Sequence, residues 1–462
     1  MTDGDAGTGD RAERIREVRA QVAERGLEYL RLSFVDQHGL LRGKTIAAGQ
    51  LDNALREGIR APGSLLAKDT GNTYALPVWA ESTSRTMNGL LGAGDMVLMP
   101  DAATFRVLGW AERTGWMLCD LTDVEGAPLT LSTRALCRRA ERTLAALGFR
   151  YQAGLEMEFH LYRSDPDSGV RNIHPGWELL SESHGDLIEP IFEPIRNGLV
   201  DLGLPPRSIE IELGPSQIEL TFAPGEGCAV ADQAVLVRSA IKQLAVRNGL
   251  HATFMSRPKL PDSFPSGWHL HQSLLDRTGR NLFAPDREGD LLSTVGRHAV
   301  AGLLAHAAAA SLLTTPTVTG YKRFRPHSVA PDRVAWSAQH RGAMLRVISA
   351  PGDPGSRVEN RTGDPAANPY LYLASQMVAM AAGIEAAVEP PTAVRDPYAP
   401  DAGPLLPRSL GEAIECFNVS DLYRAELGDE FVDYLTLVKR SEWARFCSTV
   451  TDWEHQEYFE LF

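Results

Sequence analysis

The chain has 462 residues, of which 44% are apolar and 23% are charged, and its formal net charge is −13 at pH 7. This composition allows a large buried core and excludes a disordered or fibrous protein. Lys and Arg form no cluster that could follow a nucleic-acid backbone or an anionic membrane. We therefore expect one large or two modest domains that act on small substrates, with neither a nucleic acid nor a membrane as partner.

The cysteines and the N-terminal residues indicate the compartment. The five cysteines are odd in number and scattered, without a Cys-x-x-Cys pair, which argues against a disulfide framework and a zinc ribbon. The first twenty residues lack the apolar stretch of a signal peptide. We expect a cytoplasmic protein.

Three segments follow one another along the chain. Residues 1–24 are predicted to form a flexible tail that leads into the first helix, because apolar residues recur there at helical spacing only after a Gly/Asp/Thr-rich start. Residues 25–122 contain alternating runs around the turn from Asp36 to Gly39, which predicts a β-hairpin in a small, mostly β domain. Residues 123–462 alternate strand-like and helical runs, which predicts an α+β catalytic domain.

Two pairs of glutamates stand out on predicted strands. Glu156 and Glu158 lie two residues apart in GLEMEFHLY, so both side chains leave the same face of one strand. Glu212 and Glu219 flank a Gly-Pro turn in IELGPSQIEL, within apolar sequence where an unpaired charge is costly. An exposed strand face would explain one pair alone. The two pairs together favour a cation site.

Histidines and arginines occur on further strand-like runs. WHLHQS places His269 and His271 on one face, which is weak support for a metal site when taken alone. RVENR alternates Arg357, Glu359 and Arg361, and an ion-pair ladder would explain this run equally well. A neighbouring run is rich in guanidinium groups, which suit phosphate or carboxylate. It contains Arg323, Arg325, Arg333, Arg341 and Arg346.

These residues together indicate a type of chemistry. Sites rich in oxygen ligands favour Mg²⁺ or Mn²⁺ over zinc, and such metals beside arginines are typical of phosphoryl transfer from a nucleotide. The usual nucleotide loops are missing from the sequence. GLLRGKT at residues 39–45 is one residue too short for a Walker A motif, and no GxGxxG is present.

Six motifs occur in the order and spacing of a known family. GLEMEF, IELGPSQIE, GWHLHQS, GYKR, QHRGAMLR and RVENRTGDPAANPYL resemble the glutamine synthetase family, and DMVLMPD and VTDWEHQEYFELF extend the resemblance over nearly the whole chain. The resemblance implies an N-terminal β-grasp domain and a C-terminal catalytic domain with an antiparallel sheet and helices. It also implies a dodecamer of two stacked hexameric rings, with active sites between neighbouring subunits.

The resemblance further implies ATP and two or more Mg²⁺ or Mn²⁺ ions in each active site. The residues that match ligands of the inner metal are Glu158, Glu212 and Glu219. Those that match ligands of the outer, nucleotide-bridging metal are Glu156, His269 and Glu359.

The remaining roles also come from the resemblance. His271 and Ser273 match contacts to ATP, and Arg341, Arg346 and Arg357 match residues that hold its phosphates. Arg323 and Arg361 match the clamp on a carboxylate of glutamate. Asp36 matches the acid that one subunit's β-grasp domain lends to its neighbour's amine site. Catalytic roles are thereby implied for Asp36, Arg323 and Arg341.

Three departures from the family pattern concern the amine and regulation. Val329 stands where ammonia-using members have a flap glutamate, and Phe264 and Pro265 stand where they have Asn-Gly. Tyr398 aligns with the family's adenylylation tyrosine, but the flanking residues differ. We therefore predict ATP-dependent ligation of a primary amine to the γ-carboxylate of glutamate through γ-glutamyl phosphate. The predicted amine is ethanolamine, another short amine or a polyamine. The alternatives are an ammonia-using glutamine synthetase and a catalytically inactive structural member of the fold.

Overall fold

A computed structural model of the protein describes residues 4–79, 91–167 and 169–462. The N-terminal part contains helices α1 (Gly4–Glu24) and α2 (Leu51–Glu57). Its strands are β1 (Tyr29–Val35), β2 (Leu41–Ala47), β3 (Ile59–Pro62), β4 (Asp95–Pro100), β5 (Arg106–Val107) and β6 (Thr114–Thr122). They form one sheet in the order β2-β1-β6-β4-β3, with β5 also paired to β6. Only the pairing of β1 with β6 is parallel among these strand pairs.

Helix α1 begins earlier than the sequence predicted. It starts at Gly4, within the segment that we expected to be a tail. Once a helix has nucleated over the periodic residues that follow, each residue added at its end gains a hydrogen bond without a new nucleation step. The helix can therefore extend through glycines that would not start one.

The predicted β1–β2 hairpin is confirmed. Val35 pairs with Leu41 at the end of the two strands, and Gly39 has a φ of 77°. The carboxylate of Asp36 accepts the backbone N–H groups of His38 at 2.9 Å and Leu40 at 3.0 Å. The left-handed glycine and this carboxylate together close the turn.

The second part of the chain is built on a ten-stranded sheet. Its strands are β7 (Arg150–Asp165), β8 (Gly169–Asn172), β9 (Ser208–Ile211), β10 (Gln217–Thr221), β11 (Gly225–Glu226), β12 (Leu250–Thr253), β13 (Trp268–Leu275), β14 (Trp336–Ala338), β15 (Leu345–Ile348) and β16 (Arg357–Asn360). The order is β14-β15-β16-β13-β7-β10-β9, and β8, β11 and β12 pair with the long strand β7. All pairs are antiparallel except β14 with β15. The α+β fold class predicted from the sequence is confirmed.

Ten described helices accompany this sheet. They are α3 (Thr133–Ala146), α4 (Glu182–Asp201), α5 (Ala229–Arg247), α6 (Thr294–Ala305), α7 (Ala307–Thr314), α8 (Pro369–Glu385), α9 (Leu410–Asn418), α10 (Asp421–Leu427), α11 (Asp429–Cys447) and α12 (Asp452–Tyr458). In the described parts of the chain, no helix is both long and apolar enough to cross a bilayer.

Strand β7 separates the core from the site. Its residues Leu155, Met157 and Phe159 are buried, and helices α3 and α5 pack against the strand. Glu156 and Glu158 alternate with them and therefore leave the opposite face. The alternation that buries the apolar side chains thus presents both carboxylates away from the helices.

The N-terminal hairpin is held against the helices of the catalytic part. Arg238 on α5 donates hydrogen bonds to the carbonyls of Gly39, Pro365 and Ala367 at 2.7 to 2.8 Å. Buried residues of both parts form one continuous core. Strand β6 ends at Thr122, and the domain boundary after this residue stays a prediction.

Candidate functional site

The strand register brings acidic and imidazole side chains together on one face of the sheet. Glu158 on β7 lies directly opposite Glu219 on β10. On the other side of β7, Glu156 lies opposite His269 on β13. Directly opposed residues in an antiparallel pair have Cβ atoms about 4.5–5.5 Å apart. These four side chains therefore converge from three neighbouring strands.

A fifth acid, Glu359 on β16, is fully buried at the edge of this group. It lies opposite His271 on β13 and opposite Arg346 on β15. Arg346 donates to it at 2.9 Å, and Arg361 forms a second ion pair with it. Burial opposes ionisation of Glu359, but Arg361, His269 and His271 outweigh burial and lower its pKa. Glu359 is thus a carboxylate held in its charged form.

The two histidines of β13 hold Glu156 from both sides. His269 Nδ1 lies 2.6 Å from one carboxylate oxygen of Glu156, and His271 Nε2 lies 2.8 Å from the other. Arg357 donates to Nδ1 of His271 at 3.1 Å, so Nε2 carries the hydrogen that faces Glu156. Burial would raise the pKa of Glu156, but the two histidines lower it.

Glu158, Glu212 and Glu219 have the opposite electrostatic character. Burial and the neighbouring Glu212 raise the pKa of Glu158 to about 8, and burial with Glu156 and Glu158 raises that of Glu219 to about 11. Burial is also the main cause that raises the pKa of Glu212, to about 7. Gln217 and the Gly267 amide donate to Glu158 at 2.8 and 3.0 Å.

The surroundings of Glu219 indicate whether this group of acids and His269 could hold a metal ion. Glu219 is 6% exposed, and no residue in the described ranges donates a hydrogen bond to it. A buried carboxylate beside a second one requires protons or cations. This donor set of carboxylates and one imidazole suits Mg²⁺ or Mn²⁺.

Two groups of ligand atoms are close enough to hold ions. The oxygen and nitrogen atoms of Glu156, His269 and Glu359 lie within 4.8 Å of one another, and this is the set predicted for the outer metal. The other group is Glu158, Glu219 and His269. Glu212 belongs to neither group, so its role as a ligand of the inner metal stays a prediction.

Two cavities meet at Glu156. The larger, about 1540 Å³, is lined by Glu158, Glu212, Glu219, His269, Arg323, Val329 and Arg361. The smaller, about 730 Å³, is lined by His271, Ser273 and Arg357. Glu156, Arg341 and Arg346 line both. The predicted glutamate residues and the predicted ATP residues therefore lie in adjoining cavities, with arginines at the junction.

The arginines of the larger cavity retain free donors. Arg323 is 4% exposed, and within the described residues its hydrogen bonds go to backbone carbonyls, among them that of Gly363 at 2.6 Å. The Nε atoms of Arg346 and Arg361 are buried without a partner in the described part of the chain. A buried guanidinium N–H without an acceptor is unfavourable, so an anionic ligand would satisfy these groups.

The structure does not bring Asp36 to either cavity. Its carboxylate is fully buried in the β1–β2 turn, where it accepts two backbone amides and pairs with Arg42 at 2.6 Å. Within the chain these three contacts close the turn. The role of Asp36 in the amine site of a neighbouring subunit stays a prediction.

Val329 lies on the wall of the larger cavity, as the flap position requires. Its φ is 62°, a left-handed conformation that is unusual for a β-branched residue, and its carbonyl accepts a hydrogen bond from Arg361 at 3.4 Å. Tyr398 donates to the carbonyl of Ala330 at 3.3 Å, and its ring lies at a tilt of 54° to that of His327, with ring centroids 4.9 Å apart. Tyr398 thus supports the flap from outside the cavity, and its modification stays a prediction.

Sequence reasoning missed three residues of this site. Gln217 lies two residues before Glu219 on β10, and the strand alternation that placed the glutamates could have identified it. Trp177 and Leu180 also line the larger cavity. They belong to the irregular segment HPGWELL, where no periodicity indicates which way a side chain points.

The chain is similar to known proteins over most of its length. Residues 130–458 match the glutamine synthetase catalytic domain family. The chain is 43% identical to a γ-glutamylanilide synthase of Acinetobacter sp. over 480 aligned residues, which cover 96% of this chain and 95% of that protein. It is 34% identical to the γ-glutamylethanolamide synthetase GlnA4 of Streptomyces coelicolor, with 96% of both chains covered.

A solved structure agrees with these sequence matches. The structure of a GmaS/ADP complex superimposes with a TM-score of 0.82 at 26% identity, over 96% of this chain and 99% of the other. The similarity therefore includes the N-terminal part as well as the catalytic part.

Proposed function

The chain belongs to the glutamine synthetase family, and we propose that it joins a primary amine to the γ-carboxylate of glutamate with hydrolysis of ATP to ADP and phosphate. It is an ATP-dependent ligase of the glutamate–amine type. The observation that carries the proposal is the pair of cavities joined at Glu156. One offers buried guanidinium groups to a carboxylate substrate, and the other offers His271, Ser273 and Arg357 to a nucleotide.

The larger cavity suits glutamate. Arg323 and Arg361 are buried cations on its wall, and Arg361 keeps an unpartnered Nε for the substrate's α-carboxylate. A charge-assisted hydrogen bond in a buried site is stronger than one between neutral groups. The γ-carboxylate would then point toward Glu156, where the two cavities meet.

The first chemical step joins the γ-carboxylate to phosphate. A γ-carboxylate oxygen attacks the terminal phosphorus of ATP, the bond to the bridging oxygen breaks, and ADP leaves. Arg341 and Arg346 line both cavities and would stabilise the charge that develops between them. Bound Mg²⁺ or Mn²⁺, held by the carboxylates and His269, would neutralise phosphate charge and orient the two substrates.

The second step releases phosphate. The amine nitrogen attacks the carbonyl carbon of γ-glutamyl phosphate, the carbon–oxygen bond to phosphate breaks, and the nitrogen loses one proton. Acyl phosphate formation gives the carboxylate a leaving group that it otherwise lacks. The product is a γ-glutamylamide.

Two alternatives are less well supported. An ammonia-using enzyme needs oxygen acceptors to replace the hydration shell of ammonium. Val329 offers methyl groups at the flap, and Asp36 is engaged in its own turn. A catalytically inactive member would be free to lose carboxylates that repel one another, yet every predicted ligand position is filled.

The proposal also names the amine substrate and the oligomeric state. The sequence favours ethanolamine or another short amine, with a polyamine as a further option, and the similar proteins are named for anilide and ethanolamide products. Two stacked rings of six subunits remain the proposed assembly. The exposed aromatic residues Trp453, Phe459 and Phe462 near the C-terminus support self-association.

Phosphate release across a panel of amines tests the proposal. Purified protein is mixed with ATP, Mg²⁺, glutamate and each amine, including ammonium. We expect release that depends on glutamate and on an amine, and its loss in Glu158→Ala. Glu189→Ala, an exposed acid on α4, is the matched control and should retain activity. Faster turnover of ammonium than of every other amine would indicate that the protein is an ammonia-using glutamine synthetase.

A further inference from the structure

Four of the apolar side chains that line the larger cavity border its polar groups. Trp177, Leu180, Phe264 and Val329 come from three separate segments of the chain. Trp177 is 56% exposed, Leu180 62% and Val329 49%, and Phe264 is half-buried. Single exposed apolar residues are ordinary, whereas a group of them around a polar cavity marks a binding surface. We call these four residues the apolar wall.

Backbone contacts fix the apolar wall beside the carboxylates. The amide of Trp177 donates to the carbonyl of Leu213 at 2.7 Å, and that of Leu180 donates to Ile211 at 3.0 Å. These bonds straddle Glu212, which lines the same cavity. The wall therefore borders the acidic cluster and lies within the reaction chamber.

Phe264, on the other side of the apolar wall, is held by the turn that follows Glu212. A Cβ placed on Gly214 would lie 2.7 Å from Cβ of Phe264, so Phe264 packs directly against the turn that follows Glu212. The segment then continues to Gly267, whose amide binds Glu158. Phe264 thus lies between the turn that follows Glu212 and the segment whose Gly267 amide binds Glu158.

Three wall residues adopt an unfavourable backbone conformation. Trp177, Leu180 and Val329 have φ values of 68°, 56° and 62°. Such conformations cost about 1–3 kcal/mol each and persist where the surrounding structure requires them. The chain accepts this cost in two of the three segments that form the apolar wall.

Two arginines line the same cavity as the apolar wall, opposite in sign to Glu212 and Asp262. Arg257 and Arg325 line the same cavity, and burial together with the charge of Arg325 lowers the pKa of Arg257. Two guanidinium groups that affect each other in this way would repel the distal ammonium of a diamine or polyamine. The wall itself offers carbon atoms where the hydroxyl of ethanolamine would need a polar partner.

We propose that the apolar wall binds the hydrocarbon part of an aromatic primary amine, and that Trp177 and Phe264 set this preference. The inference rests on the proposed ligase function and names its amine class. Aromatic side chains pack favourably against a flat ring by offset or edge-to-face contacts. Ethanolamine and polyamines are then poor substrates, contrary to the expectation from the sequence.

The chemistry of an aromatic amine fits the residues of the flap. Its nitrogen is unprotonated at neutral pH, so its lone pair can attack γ-glutamyl phosphate without prior removal of a proton. The new carbon–nitrogen bond forms as the carbon–oxygen bond to phosphate breaks, and the nitrogen then gives one proton to water. Val329 carries no group that could act as a base, and this substrate does not require one before the attack.

The test compares amines of matched size and different protonation. Aniline, cyclohexylamine, ethanolamine, putrescine and ammonium are each assayed for kcat/KM with the intact protein, ATP, Mg²⁺ and glutamate. We expect kcat/KM for aniline to exceed that for ethanolamine and putrescine by at least about tenfold, the scale of a ring packed in an apolar site. Equal or higher values for cyclohexylamine, ethanolamine or putrescine would overturn the preference for an aromatic amine.

Variants test whether the apolar wall determines the preference for an aromatic amine. Trp177→Ala and Phe264→Asn should each lower kcat/KM for aniline by about tenfold through KM, and leave KM for glutamate within about twofold. Val246→Ala, an exposed apolar residue at the end of α5 outside the cavity, is the control and should change neither. Native mass spectrometry checks that the assembly is unchanged.

The outcomes separate this inference from the ligase proposal. Turnover of other amines with no use of aniline would defeat the inference and leave the ligase function standing. A loss of assembly in Trp177→Ala without a change in aniline KM would make the wall a contact between subunits and also defeat the inference. Absence of turnover with every amine would instead defeat the ligase proposal itself.

Discussion

Glu219 lies directly opposite Glu158 across the β10–β7 strand pair, and the described residues provide no hydrogen-bond donor to Glu219. Gln217 and the amide of Gly267 hold Glu158, so the two acids have unequal surroundings. Burial and mutual repulsion raise the pKa of both carboxyls, to about 8 for Glu158 and about 11 for Glu219. Without a cation, the folded protein keeps protons here that the unfolded chain has lost.

The stability of the metal-free protein should therefore fall as pH rises. An ordinary glutamate loses its proton near pH 4.5, whereas Glu158 in the folded protein keeps its proton up to about pH 8. Between these values the folded state binds more protons than the unfolded state, so stability decreases by up to about 1.4 kcal/mol per pH unit for each such carboxyl. The measurement is thermal unfolding from pH 5 to 8 with EDTA or with Mg²⁺.

This prediction concerns the difference in thermal stability between the Mg²⁺ sample and the EDTA sample. The advantage of the Mg²⁺ sample over the EDTA sample should grow with pH, because the ion favours the deprotonated carboxyls. Glu219→Gln should reduce that growth, since it removes one of the repelling acids. A constant difference between the two samples from pH 5 to 8 would contradict the cation site.

Gln217 should act as a positioning residue for the metal ligand. It is fully buried and donates to Glu158 at 2.8 Å, while its own oxygen accepts the Gly214 amide at 2.9 Å. Gln217→Met keeps the length of the side chain and removes these bonds, together with those to Ser266 Oγ at 3.0 Å and the Pro265 carbonyl at 3.3 Å. Residues that orient metal ligands typically change metal affinity by about 10- to 100-fold.

A titration of activity with Mg²⁺ measures this effect. The curve for Gln217→Met should shift to higher concentration, and kcat at saturating Mg²⁺ should recover at least in part. Gln243→Met, a glutamine on α5 away from the acidic cluster, serves as the control and should leave the curve in place. An unchanged Mg²⁺ requirement in Gln217→Met would show that Glu158 needs no such support.

Asp36→Asn should lower stability and leave the chemistry intact. The variant keeps an oxygen for the His38 and Leu40 amides but loses the ion pair of Asp36 with Arg42. Removal of one partner of a buried charged hydrogen bond costs about 1–3 kcal/mol. We expect a lower Tm, with kcat/KM for the amine within about threefold of wild type for the folded protein.

Arg42→Gln removes the same ion pair from the other side and should give a similar loss of Tm. A loss of amine turnover by more than about a hundredfold in Asp36→Asn with an unchanged Tm would contradict the structural role. It would restore the role across the subunit boundary that the sequence resemblance implied.

Val329→Glu should move the preference toward ammonium. The side chain at this position faces the cavity, and a carboxylate there would supply an acceptor for an ammonium ion. One charged hydrogen bond is worth about 1.5–3 kcal/mol, so the ratio of kcat/KM for ammonium to that for the best amine should rise by about tenfold or more. Val329→Gln is the neutral control of nearly equal shape. If Glu and Gln change the ratio equally, the charge at the flap does not set the choice of amine.

The sequence predicted the composition of the site better than its geometry. Strand alternation placed Glu156 and Glu158 on one face because side-chain direction in a strand depends only on local spacing. The pairing of Glu158 with Glu219 depends on the register between two strands some sixty residues apart, which no local pattern specifies. The structure was also needed to find Trp177, because its backbone is bonded to Leu213 in a distant segment that no local pattern identifies.

Asp36 shows how a local sequence pattern and a family resemblance can assign different roles to one residue. An acid at the end of a strand, three residues before a glycine, is also the ordinary signal of a turn. The turn pattern and the resemblance assigned this acid different roles; its burial in the turn agrees with the first, and the second stays a prediction. Residues on regular strands were therefore easier to place on one face than residues on loops.

The fate of an isotopic label tests the central claim most directly. Glutamate labelled with oxygen-18 in its γ-carboxylate is incubated with the protein, ATP, Mg²⁺ and the best amine, and the released phosphate is analysed by mass spectrometry. Ligation through γ-glutamyl phosphate predicts one labelled oxygen in each phosphate, with ADP and γ-glutamylamide formed in equal amounts. Unlabelled phosphate, or phosphate released without the amide, would contradict the account.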